Sequence, residues 1–154
     1  MSKRVEGEIV INRPLDEVFD FVANECNEPT YNPRMRYAEE VSSGPVGLGA
    51  RFRAEMRTMG RTAEMTIEFT EYEPPRLLAS STHLSNMDID GKLSFEPVAD
   101  GTRMRWSWDL KPHEGLKLMS PLVARVGRRQ ERIIWTNLKR VLEAPAASAS
   151  LTGK

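Results

Sequence analysis

Residues 88–111, DIDGKLSFEPVADGTRMRWSWDLK, decide the architecture. Ile89, Gly91, Leu93 and Phe95 alternate with Asp88, Asp90, Lys92, Ser94 and Glu96. Past Asp100-Gly101, a strong hairpin signal, Thr102, Met104, Trp106, Trp108 and Leu110 alternate with Arg103, Arg105, Ser107, Asp109 and Lys111. A period of two with one apolar and one polar side marks antiparallel strands that are dry on one face and wet on the other.

The same pattern extends upstream. In 61–72, Ala63, Met65, Ile67 and Phe69 share a face, and in 50–58 Phe52, Ala54, Met56 and Thr58 do. A turn is expected at Met59-Gly60, and Pro74-Pro75 ends the 61–72 strand. Residues 76–83 form a further strand, but adjacent Leu77 and Leu78 leave its facing open, and with it the role of His83. Val5, Gly7, Ile9 and Ile11 predict a first strand over 5–12, and 37–43 a weakly patterned one. Between these two strands, Pro14 and the spacing of Leu15, Val18, Phe19 and Val22 predict a helix over 14–23. A short irregular or one-turn helical connection follows around Pro29, Tyr31 and Pro33.

A sheet with one dry face needs a cover. The element long enough is a helix over 121–143, opened by Ser120-Pro121, about 35 Å at 1.5 Å per residue. Residues 114–119 are expected to add a preceding turn. The expected fold is α+β: a curved antiparallel sheet of six to seven strands around a long C-terminal helix, with two short helices after the first strand. Residues 1–143 make one domain, and 144–154, small and polar, a disordered tail.

The bulk properties suit this reading. The chain has 154 residues, 40% hydrophobic and 29% charged, with 22 basic and 22 acidic side chains. Zero net charge argues against a dedicated nucleic-acid binder. The charge is uneven, however: residues 101–154 hold 11 Lys and Arg against 4 Asp and Glu. The single cysteine, Cys26, forms no internal disulfide and gives no metal-ligand spacing. With neither a secretory leader nor a long apolar run, a cytoplasmic location is expected. No metal, nucleotide or flavin is expected, since there is no ligand cluster, phosphate loop or nucleophile elbow.

The stretches INRPLDEVFDFVAN at 11–24, Tyr31-Asn32-Pro33, GLGARFR at 47–53 and TEYEPPRLLA at 70–79, with the long terminal helix, resemble the START-like, or Bet v 1-like, superfamily (SRPBCC). Within it they are most similar to the bacterial polyketide cyclase/dehydrase and lipid-transport branch. The resemblance covers residues 4–143, and Tyr31 stands where many members carry Trp. It implies the helix-grip fold and a cavity for a hydrophobic ligand. It fixes no reaction, because the superfamily spans carriers, cyclases, hydroxylase subunits and stress regulators.

The dry faces supply either a packed core or the walls of such a cavity. Phe52, Met56, Met65, Phe69, Trp106 and Trp108 represent the sheet side, and a buried indole N–H needs a partner. On a helical wheel Val126, Ile133 and their apolar neighbours fall on one side, with Gln130 and Asn137 near its centre. Each amide either bonds a backbone group or a water, or lines a hollow and orients a ligand. Arg125, Arg128, Arg132 and Lys139, beside Arg129 and Arg140, form the opposite side. That side is either simply solvated or faces an acidic partner, anionic lipid or RNA. Trp135 lies at its edge, as an interface anchor or packed against the sheet edge or loops.

The leading functional reading is binding or transport of a small hydrophobic ligand: lipid, isoprenoid, quinone or polyketide-like. It would enter past the loops near 24–36, 59–61 and 84–88. A polyketide cyclase or dehydratase is the alternative, although no catalytic constellation is identified; an inward His83 or a perturbed Glu71 would raise it. An interaction module built on the basic helix and Trp135 is third. The oligomeric state stays open, a homodimer included.

Overall fold

The computed structural model describes residues 3–58, 60–113 and 120–144. The expected turn at 114–119, Met59 of the expected Met59-Gly60 turn and the tail beyond 144 lie outside these. Among the described residues the chain runs β1 (Lys3–Ile11), α1 (Leu15–Ala23), a 3-10 helix (Glu25–Thr30), β2 (Met35–Glu40), β3 (Arg51–Thr58), β4 (Arg61–Glu73), β5 (Leu77–His83), β6 (Met87–Val98), β7 (Gly101–Pro112) and α2 (Ser120–Glu143). The strands form one seven-stranded sheet in the order β1-β7-β6-β5-β4-β3-β2, every neighbouring pair antiparallel. It is the α+β fold that the alternation implies, a one-sided sheet with a long helix, and the helix-grip fold that the resemblance implies.

The register carries the inward faces across the sheet. Phe52 pairs with Ile67, Leu78 with Leu93, and Leu93 with Trp106. Phe19 of α1 closes one end, edge-on to Tyr72 at 5.6 Å and to Phe95 at 5.2 Å. α1 begins one residue later than expected, so Pro14 is its N-cap rather than its first helical residue.

Two glycines make room for two indoles. Gly7 pairs with Trp106 and Gly91 with Trp108. A methyl group at Gly7 would overlap the Trp106 ring, and one at Gly91 the Trp108 ring. Each indole thus lies flat over the glycine of a neighbouring strand, one towards β1 and the other towards β6. Packing the rings onto the backbone leaves the space above them to α2.

A bulge sets one expectation right. The β4–β5 register shifts between Phe69 and Glu71, which reverses the alternation at that point. Glu71 therefore faces water and pairs with Lys92 at 3.1 Å, while Tyr72 turns inward against Phe69. β5 takes its facing from its partners: Leu78 and Thr82 point inward, and His83 points out.

α2 packs most closely on β1. Lys139 Nζ donates to the Val10 carbonyl at 2.8 Å, and the Asn12 amide donates to the Glu143 carboxylate at 2.7 Å. On its other flank, Asn137 Nδ2 donates to the Tyr31 carbonyl at 3.1 Å, at the end of the 3-10 helix. These bonds clamp the helix between β1 and the 3-10 segment and set its rotation.

That rotation corrects the wheel. Ala124, Ile134, Trp135 and Leu138 are buried, and Gly127 lies over Val5 and Leu110. Leu122, Val126 and Ile133 are exposed, at 51%, 45% and 38%. The inward stripe is therefore centred on Glu131, about 100° from the expected centre.

Candidate functional site

Glu131, which the apolar pattern of α2 does not mark, stands at the centre of the inward stripe. Its carboxylate Oε2 accepts two indole hydrogen bonds, from Trp108 Nε1 of β7 and from Trp135 Nε1 one turn along α2, each at 2.7 Å. A single oxygen thereby ties the sheet to its covering helix and satisfies two indole donors. Burial pushes the Glu131 carboxyl up to about 7; the Trp108 bond opposes the rise, the Glu28 carboxylate adds to it, and the Trp135 bond opposes it. Its titration is thereby moved from the acid range towards neutrality.

The surroundings are aromatic and acidic. Phe21, Tyr31, Trp135 and Trp106 follow one another with ring centroids 6.0, 5.9 and 5.9 Å apart. The 3-10 helix brings Glu25 and Glu28 to the same region. The Asn24 side chain accepts from the Cys26 amide and starts that helix. Asn32, fully buried, donates from Nδ2 to Glu28 at 2.8 Å while its Oδ1 accepts from the Arg34 amide at 3.1 Å. Tyr31-Asn32-Pro33 thus does local work: the tyrosine fills the interior and the asparagine aims Glu28.

Burial, then the charge of Glu28 and a hydrogen bond with it, holds the Glu25 carboxyl well above the usual carboxylate range. Burial, then the charges of Glu28, Glu25 and Glu131, raises the Tyr31 phenol well above its ordinary value. Chemically, the cluster can accept hydrogen bonds, donate them from protonated carboxyls, and exchange a proton near neutrality. Among the described residues no group of three His, Cys, Asp or Glu is arranged to hold a metal ion.

The expected site residues divide. Phe52, Met65, Phe69 and Trp106 are buried in one continuous core; Met56 and Trp108 are part-buried against it. The Trp108 indole finds its partner in Glu131. Val126 and Ile133 lie on the outer face of α2, so they do not join the others. Gln130 is half-buried on the flank of Asn137. Asn137 takes the backbone-bonded alternative. Trp135 is buried, not an exposed anchor. His83 and Glu71 both face water; the His83 and His113 rings sit 3.0 and 3.2 Å from the Asp88 carboxylate on the surface. Neither therefore supports the enzyme alternative.

A sequence signal for Glu131 existed. It is the single acid between positions 115 and 142, with small Ala124 and Gly127 two turns and one turn before it and Trp135 four residues after.

Comparison with known proteins gives the family and the fold. The family described as polyketide cyclase / dehydrase and lipid transport matches residues 2–143. The fold is similar to that of a protein from Thermus thermophilus, TTHA0849, at a TM-score of 0.79 and 20% identity over 93% of this chain and 99% of that one. A START superfamily protein from Mycobacterium smegmatis gives 0.79 at 11% identity, over 91% and 97%. The Zhui aromatase/cyclase from Streptomyces sp. R1128 gives 0.72 at 14% identity, over 94% and 99%. Among curated proteins none matches the chain. No described helix is long and apolar enough to cross a membrane.

Proposed function

The chain belongs to the polyketide cyclase / dehydrase and lipid transport family, and from that premise we propose that it binds a small hydrophobic molecule between the sheet and α2, in the cytoplasm. The ligand is lipid, isoprenoid, quinone or polyketide-like. Burial of its apolar surface, at ~25 cal/mol per Å², drives binding. The partly buried Trp108 and Met56 supply the wall that a ligand reaches, Met56 an adaptable one, and Phe52, Met65, Phe69 and Trp106 back it as packed core.

The observation that carries this reading is Glu131 beneath its two indoles. A carboxylate in an aromatic interior lowers stability at neutral pH, and a packed core has no need of one. A binding site does, because one polar group in an apolar wall orients a ligand. The polar end of that ligand is neutral. The charged neighbour that bears on Glu131 is Glu28, another carboxylate, so a fatty-acid carboxylate meets repulsion there. A hydroxyl can donate to Glu131, and a carbonyl can accept from its protonated form.

The test is a paired titration with a neutral probe, N-phenyl-1-naphthylamine, and an anionic one, cis-parinaric acid. The neutral probe should bind at least tenfold tighter, about 1.4 kcal/mol, and Glu131→Gln should narrow the gap. Equal affinities, or tighter uptake of the acid, would refute the reading.

A second reading rests on the same group. A carboxyl held at about 7 suits general acid–base work near neutrality, as a cyclase or dehydratase requires. Its test is elimination of water from a β-hydroxy ketone, with the α-proton taken and the hydroxyl leaving as water. Turnover lost in Glu131→Gln, with probe binding retained, would favour the enzyme over the carrier.

A further inference from the structure

We infer that the outer face of α2 docks on the surface of a bilayer rich in anionic phospholipid. Arg125, Arg128, Arg129, Arg132 and Arg140 are all exposed along this helix. Its two acids do not offset them outside. Glu131 points inward to Trp108 and Trp135, and Glu143 holds the Asn12 amide and Lys139. The outward charge of α2 is therefore of one sign.

The second observation is apolar. Leu122, Val126 and Ile133 are exposed on the same outer face. At 100° per residue they form one ridge with Arg129 between Val126 and Ile133, and Arg125, Arg132 and Arg140 beside it. Branched aliphatic side chains among arginines suit the headgroup boundary. The aliphatic groups sink towards the acyl chains while the guanidiniums meet phosphates. A solvated face has no use for the ridge. RNA is disfavoured, because stacking needs exposed aromatics and Trp135 is buried. The helix lies on the bilayer rather than in it, since it is too polar to span.

This inference does not depend on the ligand reading, and the two can fail separately. The experiment is flotation with phosphatidylcholine vesicles, with and without phosphatidylglycerol, at low and high salt. The protein should float with the anionic vesicles at low salt and not with phosphatidylcholine alone. Arg125→Gln, Arg129→Gln and Arg132→Gln together should lower partitioning about a hundredfold, at about fivefold per charge. Ile133→Asp should lower it as well, with circular dichroism showing that the helix is retained. Equal flotation with both vesicle types would overturn the inference, as would none with either. So would undiminished binding by Ile133→Asp, or sedimentation showing that the arginines join two copies of the chain instead.

Discussion

Replacing Glu131 with Gln removes an ionisable group from the interior while keeping a carbonyl oxygen for both indoles. In the unfolded chain the carboxyl titrates near its ordinary 4.5, and in the native state at about 7. Below both values it is protonated in either state and costs nothing. Between them the native state holds a proton that the unfolded chain has released, so stability falls as pH rises. Above about 7 the whole cost is present. At roughly 1.4 kcal/mol per pH unit it comes to about 3 kcal/mol. Glu131→Gln should therefore melt close to the wild type at about pH 4.5, where most of that cost is still absent. By about pH 8.5 it should melt higher by roughly 6–12 °C, at 2–4 °C per kcal/mol for a chain of this size. Thermal unfolding followed by circular dichroism at both pH values reads this directly. A shift of the same size at both, or a lower melting temperature for Gln at the higher pH, would refute the reasoning.

Other consequences follow from the packing. Gly91→Ala should cost ~1–3 kcal/mol in urea denaturation, because the new methyl group displaces the Trp108 ring, and Gly7→Ala should cost a similar amount through Trp106. Asn137→Leu leaves the Tyr31 carbonyl without its donor and should cost about 1–3 kcal/mol by the same measurement. His83→Ala should leave both melting and probe uptake unchanged, within ~0.5 kcal/mol; a change in uptake would mean that His83 faces inward.

The sheet was legible because each strand carries one wet and one dry face. A period of two survives in the sequence wherever no residue is inserted, as in the β6–β7 hairpin around Asp100-Gly101. It fails at the β4 bulge, where Glu71 looks inward by counting and faces Lys92 in the fold. β5 was unreadable by itself, since Leu78 is buried on the inner face and Ala79 on the outer. The helix misled for a different reason. Counting apolar residues weights Leu122, Val126 and Ile133, which are exposed, and ignores Glu131, whose inward direction depends on Trp108, 23 positions away. An inward carboxylate is fixed by its long-range donors, and a count of apolar residues does not contain them. The inward face of the sheet was therefore legible, and that of the helix was not.

In the proposed complex a hydrophobic molecule lies against the three indoles, and tryptophan-to-probe energy transfer tests this most directly. Titrating the wild type with N-phenyl-1-naphthylamine should quench the emission of Trp106, Trp108 and Trp135 as probe emission rises, saturating at about one probe per chain. Indole emission that stays constant while the probe remains dark would contradict it and leave a solid core in place of a site.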